Sequence, residues 1–253
     1  MSKWITGSSL FIGVLIVIIF NFLIPGNSSV FTENITAVDW MTEYFGINTT
    51  IIQIYLVLIG LGLLLYLNGI LGIYKGIGNR ENNIKPIALS LNIIAVTLFL
   101  STLAIGNTFA GSAELNMGAY QLAQQAAQVA QSGDPAAVEA YNNSSINSII
   151  AGAASMGVFA VYWGLFAIST YVIYLATIAT GYIILKSGSH YLSPLMNYIV
   201  GFGLMGSGII FLVLNLIWKV NTELGYQMFT VSQIIWALLI IILSLNILRS
   251  KKV

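Results

Sequence analysis

Six apolar stretches dominate this chain, and their length constrains everything else about it. Ser8 to Pro25, Ile51 to Tyr74, Ile87 to Thr108, Leu195 to Trp218 and Val231 to Leu248 contain no Asp, Glu, Lys, Arg or His. About 20 apolar residues are enough to cross a hydrocarbon core of about 30 Å, so each of the five reads as one membrane span. The sixth stretch, Ile146 to Leu185, is equally free of charge but much longer, and can be counted as one span or as two. Only 7% of the 253 residues are charged and 58% are hydrophobic, where a soluble domain carries roughly 25% charge. Such a chain cannot cover itself with a hydrated surface, and its solvent is largely lipid. The expected fold is all-α: a polytopic membrane helix bundle at the cell membrane.

Charge decides the count. With six spans near 8–25, 51–74, 87–108, 161–185, 195–218 and 231–248 and both termini inside, Lys3, Lys75, Arg80, Lys85, Lys186, Arg249, Lys251 and Lys252 all lie inside. Only Lys219 lies outside, which satisfies the positive-inside rule. Splitting Ile146–Leu185 in two would move Arg249, Lys251 and Lys252 outside. Acids show the reverse bias, with Glu81 alone on the inner side. The N-x-[ST] sequons at Asn27, Asn34, Asn48, Asn142 and Asn143 all fall in loops that charge alone places outside. These five asparagines are the candidate glycosylation sites of a glycoprotein. Ser8 to Pro25 is followed by no small-x-small cleavage site and reads as a retained span.

Within this topology the segment Leu115–Tyr141 is extracellular, part of an outer insert at about 112–160 between helices 3 and 4. Leu115, Ala119, Leu122, Ala126 and Val129 recur at spacings of four and three, sharing one helix face. Ser132-Gly133 ends that helix, and Asp134 with Pro135 supplies an N-cap and a first-turn proline for the next. The expected product is a helical hairpin whose first arm packs through Leu122, Ala126 and Val129 on Ile149, Ala153 and Met156. Its second arm runs into the fourth span, either unbroken or interrupted at Asn142–Ser145. Tyr162 and Trp163 are placed at the outer interface, where polar-tipped aromatics are favoured.

Several chemistries are excluded or disfavoured. Cysteine is absent and histidine occurs once, at His190, which rules out disulfides, thiol catalysis and a His-rich metal centre within the chain. The GxGxxG pattern at Gly201–Gly206 lies inside a span rather than after a strand, so it reads as close helix packing. Similar small-residue spacings occur at Gly72 and Gly76, Ala160 and Gly164, and Thr177 and Gly181. No GxxxxGK[ST] is present, and no ionisable group sits at membrane depth, where proton relays and gating charges would require one. The chain is therefore expected to be no enzyme, with no catalytic residue, metal or cofactor of its own. The polar residues left in the spans are amides, among them Asn68, Asn92 and Asn215, which either bond between helices or line two vestibules of a conduit. Lys75, Arg80 and Lys85 bracket the largest inner loop and are the candidate partner-docking residues.

The whole architecture resembles the polytopic CedA membrane proteins of the crenarchaeal DNA-import system. That likeness rests on some 250 residues, six spans, a Gly/Ala-rich bundle, a sequon-bearing outer face and a Cys-free, Ile- and Asn-rich composition of archaeal character. It implies a membrane component of a DNA-import apparatus, passive in itself, working with small two-span membrane proteins and a separate cytoplasmic ATPase. DNA would be the transported substrate, and because no basic residue lies at membrane depth, the conduit would be a homo-oligomer or shared with partners. Two other readings stand beside it: an accessory scaffold subunit of a larger membrane complex, such as a respiratory assembly, and a channel for a small neutral solute.

Overall fold

The structure, a computed structural model, describes residues 2–25, 44–77, 83–189, 191–218 and 222–250, with side chains at all of these except 187, 215–218, 222–230 and 232. Among them are six α-helices: α1 (Lys3–Leu23), α2 (Thr49–Gly76), α3 (Ile84–Ala130), α4 (Pro135–Ser187), α5 (Pro194–Trp218) and α6 (Thr222–Arg249). The only β pairing among the described residues is an isolated bridge between Ile77 and Ser189. Helices α1 to α5 are long and apolar enough to cross a membrane, and α6 carries a shorter apolar stretch, Gln233–Arg249. Helix suits these sequences because a segment in hydrocarbon must satisfy its own backbone donors and acceptors.

Two helices far exceed a bilayer. At 1.5 Å per residue, the 47 residues of α3 and 53 of α4 extend roughly 70 and 80 Å. The turn between them forms as its residues dictate. Gly133 adopts a left-handed φ of 76°, and the Asp134 carboxylate accepts a hydrogen bond from the Ala136 N–H at 3.2 Å, which caps α4 one residue before Pro135. Helix α4 is then continuous through Asn142–Ser145. Four polar residues in a helix interior each cost only a fraction of a kcal/mol in propensity, too little to end the helix. At its far end, the Gly188 N–H bonds to the Ile184 carbonyl at 3.0 Å with a φ of 64°, a left-handed glycine stop. Lys75, Lys186 and Arg249 occupy the last turns of α2, α4 and α6, where a cation complements the helix dipole.

The described residues form two compact units, to both of which α1, α2, α3 and α4 contribute. The first unit comprises residues 1–20, 58–100 and 166–253 and is built on backbone-to-backbone helix crossings. A Cβ placed on Gly13 of α1 would lie 2.6 Å from the Tyr66 nitrogen and 2.7 Å from the Gly62 oxygen of α2. One placed on Gly181 of α4 would lie 2.6 Å from both the Gly201 oxygen and the Met205 nitrogen of α5. Gly201 and Gly203 of the GxGxxG pattern thus meet Leu185 and Leu239, while Gly206 faces open space. Tyr174 stacks on Phe211 at 4.7 Å, with Phe166, Ile173, Leu212 and Trp236 around the pair.

The second unit comprises residues 21–57 and 101–165. Phe109, wholly buried, is its centre, lying 5.2 Å from Phe45, 5.4 Å from Phe159 and 6.1 Å from Tyr162, with Trp163 stacked on Phe159 at 6.0 Å. The Thr49 hydroxyl donates to a carbonyl within reach, with Ala110 O on α3 at 3.2 Å, and the Gln53 amide donates to Asn107 O at 3.3 Å. Tyr162 and Trp163 therefore belong to an aromatic cluster whose other members, Phe45, Phe109 and Phe159, carry no polar tip to mark them in the sequence.

Candidate functional site

Two of the polar positions expected from sequence, Asn92 and Asn68, resolve into interhelical bonds. Asn92 of α3, only 1% exposed, donates from Nδ2 to Ala88 O of its own helix at 2.9 Å and to Thr180 Oγ1 of α4 at 3.0 Å. The Thr180 hydroxyl spends its own proton on Ala176 O at 2.7 Å. Its oxygen is consequently the acceptor for the Tyr74 hydroxyl of α2, 3.0 Å away. Tyr74, Asn92 and Thr180 so form a buried clasp joining α2, α3 and α4, each such bond worth about 0.6–2 kcal/mol in a membrane. Asn68 plays a smaller version of the same part, donating to Ser9 Oγ on α1 at 3.0 Å. The side chain of Asn215 lies outside the described residues. Nothing in the sequence singled out Tyr74 or Thr180, because a hydroxyl in an apolar stretch bonds its own helix as readily as its neighbour.

Beyond the clasp, where α2 and α4 end and α3 begins, lies a compact corner. Ile77, just after α2, pairs with Ser189, just after α4, and the Ser189 N–H donates to Asn197 Oδ1 at 2.9 Å. Lys85, in the first turn of α3, donates to the Ile77 carbonyl at 3.0 Å. Gly76 abuts the Tyr191 ring, leaving no room for a side chain. Of the docking candidates, Lys75 is exposed, Lys85 is half-buried and committed to Ile77, and Arg80 lies outside the described residues. At the chain ends, Lys3 Nζ donates to Ser250 O at 2.7 Å, tying the start of α1 to the end of α6.

The hairpin forms, but on a different face from the expected one. Leu122 and Val129 are each 62% exposed and Ile149 is 70% exposed, so the expected contact of Leu122 and Val129 with Ile149 and Met156 is corrected, while Ala126 keeps a place on the half-buried face. The half-buried seam of α3 is Ser112, Asn116, Ala119, Ala123, Ala126 and Ala130. It meets the Ser and Gly positions of α4: Ser112 Oγ approaches Ser155 Oγ at 3.5 Å, and a Cβ on Gly152 would lie 3.4 Å from Asn116 Oδ1. Both faces repeat at four and three and share Ala119 and Ala126, so periodicity alone does not separate them. At Gly152 the missing side chain leaves the space that Asn116 Oδ1 reaches into. Leu115, Leu122, Val129, Ile149 and Met156 are left on the surface.

The sequons divide as well. Asn142 and Asn143 are exposed on α4, whereas Asn48 is half-buried with its Nδ2 donating to Tyr44 O at 3.0 Å. Asn27 and Asn34 lie outside the described residues. Among the described residues there is no grouping of His, Asp and Glu able to hold a metal ion. No protein family, no characterised protein and no solved structure shows a significant match to the chain.

Proposed function

We propose that this chain is a passive, six-span membrane component of a DNA-import apparatus, driven by a separate cytoplasmic ATPase. In this reading α1 to α6 all span, both termini are inside, and the α3–α4 hairpin stands outside the cell. The observation that carries the multi-subunit part is the hairpin surface: Leu115, Leu122, Val129, Ile149 and Ile150 are all more than 60% exposed on helices too long for a bilayer to cover. Large apolar side chains held outside lipid mark a surface that meets another protein. The solute-channel reading loses ground because Asn92 and Asn68 spend their amides on Thr180 and Ser9 and so are not presented to a water path. Import, rather than a respiratory scaffold, rests on the architectural resemblance, with small two-span proteins as neighbours of the bundle. Lys75, Arg80 and Lys85 give the motor a basic inner face, and DNA passes through a conduit shared between copies or with partners.

The test is a clean deletion in a recipient strain, scored for uptake of a marked chromosomal locus. Loss of uptake, restored by the intact gene, supports import. Wild-type uptake without the gene overturns it in favour of the scaffold. The substitution Arg80→Gln should then lower uptake at normal protein abundance, since it removes one cation of the inner loop and leaves Lys75 and Lys85 in place.

A further inference from the structure

We infer that the corner formed by the ends of α2 and α4 and the start of α3 is a binding site for the phosphate of an anionic phospholipid. The three helices joined by Tyr74, Asn92 and Thr180 are the three that carry Lys75, Lys85 and Lys186 at this end. Lys75 follows Tyr74 directly, Lys186 lies six residues beyond Thr180, and Lys85 lies seven before Asn92, so at 1.5 Å per residue all three fall within about 11 Å of the clasp along the helices. The Ile77–Ser189 bridge and the Lys85 bond to Ile77 hold the loop ends together, so the lysines crown a braced corner rather than three loose chain ends. They also border the apolar stretches, which puts them at headgroup depth.

Helix dipoles account for only part of this arrangement. Lys75 and Lys186 close their helices, where a cation is favoured. Lys85 opens α3, where the dipole disfavours a cation, and the first turn of α3 contains no acid. Nor do the described residues of these three helix ends supply a matching anion: 71–77, 83–89 and 180–189 hold Lys75, Lys85 and Lys186 and no carboxylate. A phosphate at the bilayer surface is the anion within reach, and basic pockets between spanning helices on the cytoplasmic side are suited to such headgroups. This inference is independent of DNA import.

The experiment uses the full chain purified in neutral detergent, exchanged with phosphatidylglycerol or phosphatidylcholine, with retained lipid counted by native mass spectrometry. The wild type should keep phosphatidylglycerol selectively, and Lys85→Gln with Lys186→Gln should weaken retention by about thirtyfold. Lys85→Arg with Lys186→Arg should keep it, and Lys3→Gln with Arg249→Gln, which removes as much charge elsewhere, should leave it within about twofold. Equal loss in that control pair would mean diffuse attraction and overturn the site. Displacement by millimolar inorganic phosphate would assign the corner to free phosphate and overturn the lipid. Unchanged retention in Lys85→Gln with Lys186→Gln, at an unaltered melting temperature, would overturn the inference altogether.

Discussion

Adding one methyl group to α4 should have opposite consequences at two of its glycines. At Gly181 the new Cβ would sit 2.6 Å from the Gly201 oxygen and the Met205 nitrogen of α5. Both obstacles are backbone atoms, so no side chain can swing aside. Ordinary contact requires the two helices to part by roughly 0.8 Å, a gap that forfeits a quarter to a half of each dispersion contact along the crossing. Overpacking of this kind costs about 1–3 kcal/mol. At Gly157 a Cβ would meet nothing within 4 Å, and the glycine-to-alanine change recovers about 0.5–1 kcal/mol of helix propensity. Gly181→Ala should therefore lie about 1–3 kcal/mol below Gly157→Ala, and Gly157→Ala should equal or exceed the wild type. Reversible unfolding in mixed micelles, followed by helical circular dichroism, measures both. Equal stabilities for the two variants would refute the crossing at Gly181.

Three further outcomes follow from the same packing. A double-mutant cycle of Asn92→Leu and Thr180→Val should return a coupling of about 0.6–2 kcal/mol, and a coupling indistinguishable from zero would dissolve the clasp. Leu122→Asp with Val129→Asp should leave the rate of proteolysis near Gly133 unchanged in isolated protein, because both side chains are exposed; faster cleavage would put them back in the seam. If the chain is glycosylated, Asn142→Gln with Asn143→Gln should shift its mobility, whereas Asn48→Gln should not, its amide being held by Tyr44.

Much of the fold was legible because lipid imposes one simple rule, that a long uncharged stretch becomes a helix. Each expected span lies within one of the six helices, apart from the last residues of the first, which runs to Leu23 rather than Pro25. The α3–α4 turn was equally legible, since Gly133, Asp134 and Pro135 each have one strong local role. The faces were harder to read. Ser112–Ala130 and Leu115–Val129 carry the same repeat, and choosing between them needed the size of the residues opposite, Gly152 and Ser155. Asn92 stood out as an amide in an apolar stretch, but its partners Tyr74 and Thr180 come from helices distant in sequence. The inner lysines were legible as one basic face, but that Lys186 shares a corner with Lys75 and Lys85 needed the pairing of Ile77 with Ser189.

The orientation of the bundle underlies the sequons, the hairpin and the basic face alike, and the absence of cysteine makes it directly measurable. Single cysteines at Ser132, in the hairpin turn, and at Ser250, after α6, can be labelled on intact cells with a membrane-impermeant maleimide. The six-span account predicts labelling at Ser132 at once and at Ser250 only after permeabilisation. Labelling of Ser250 from outside, or protection of Ser132 until the membrane is opened, would contradict it.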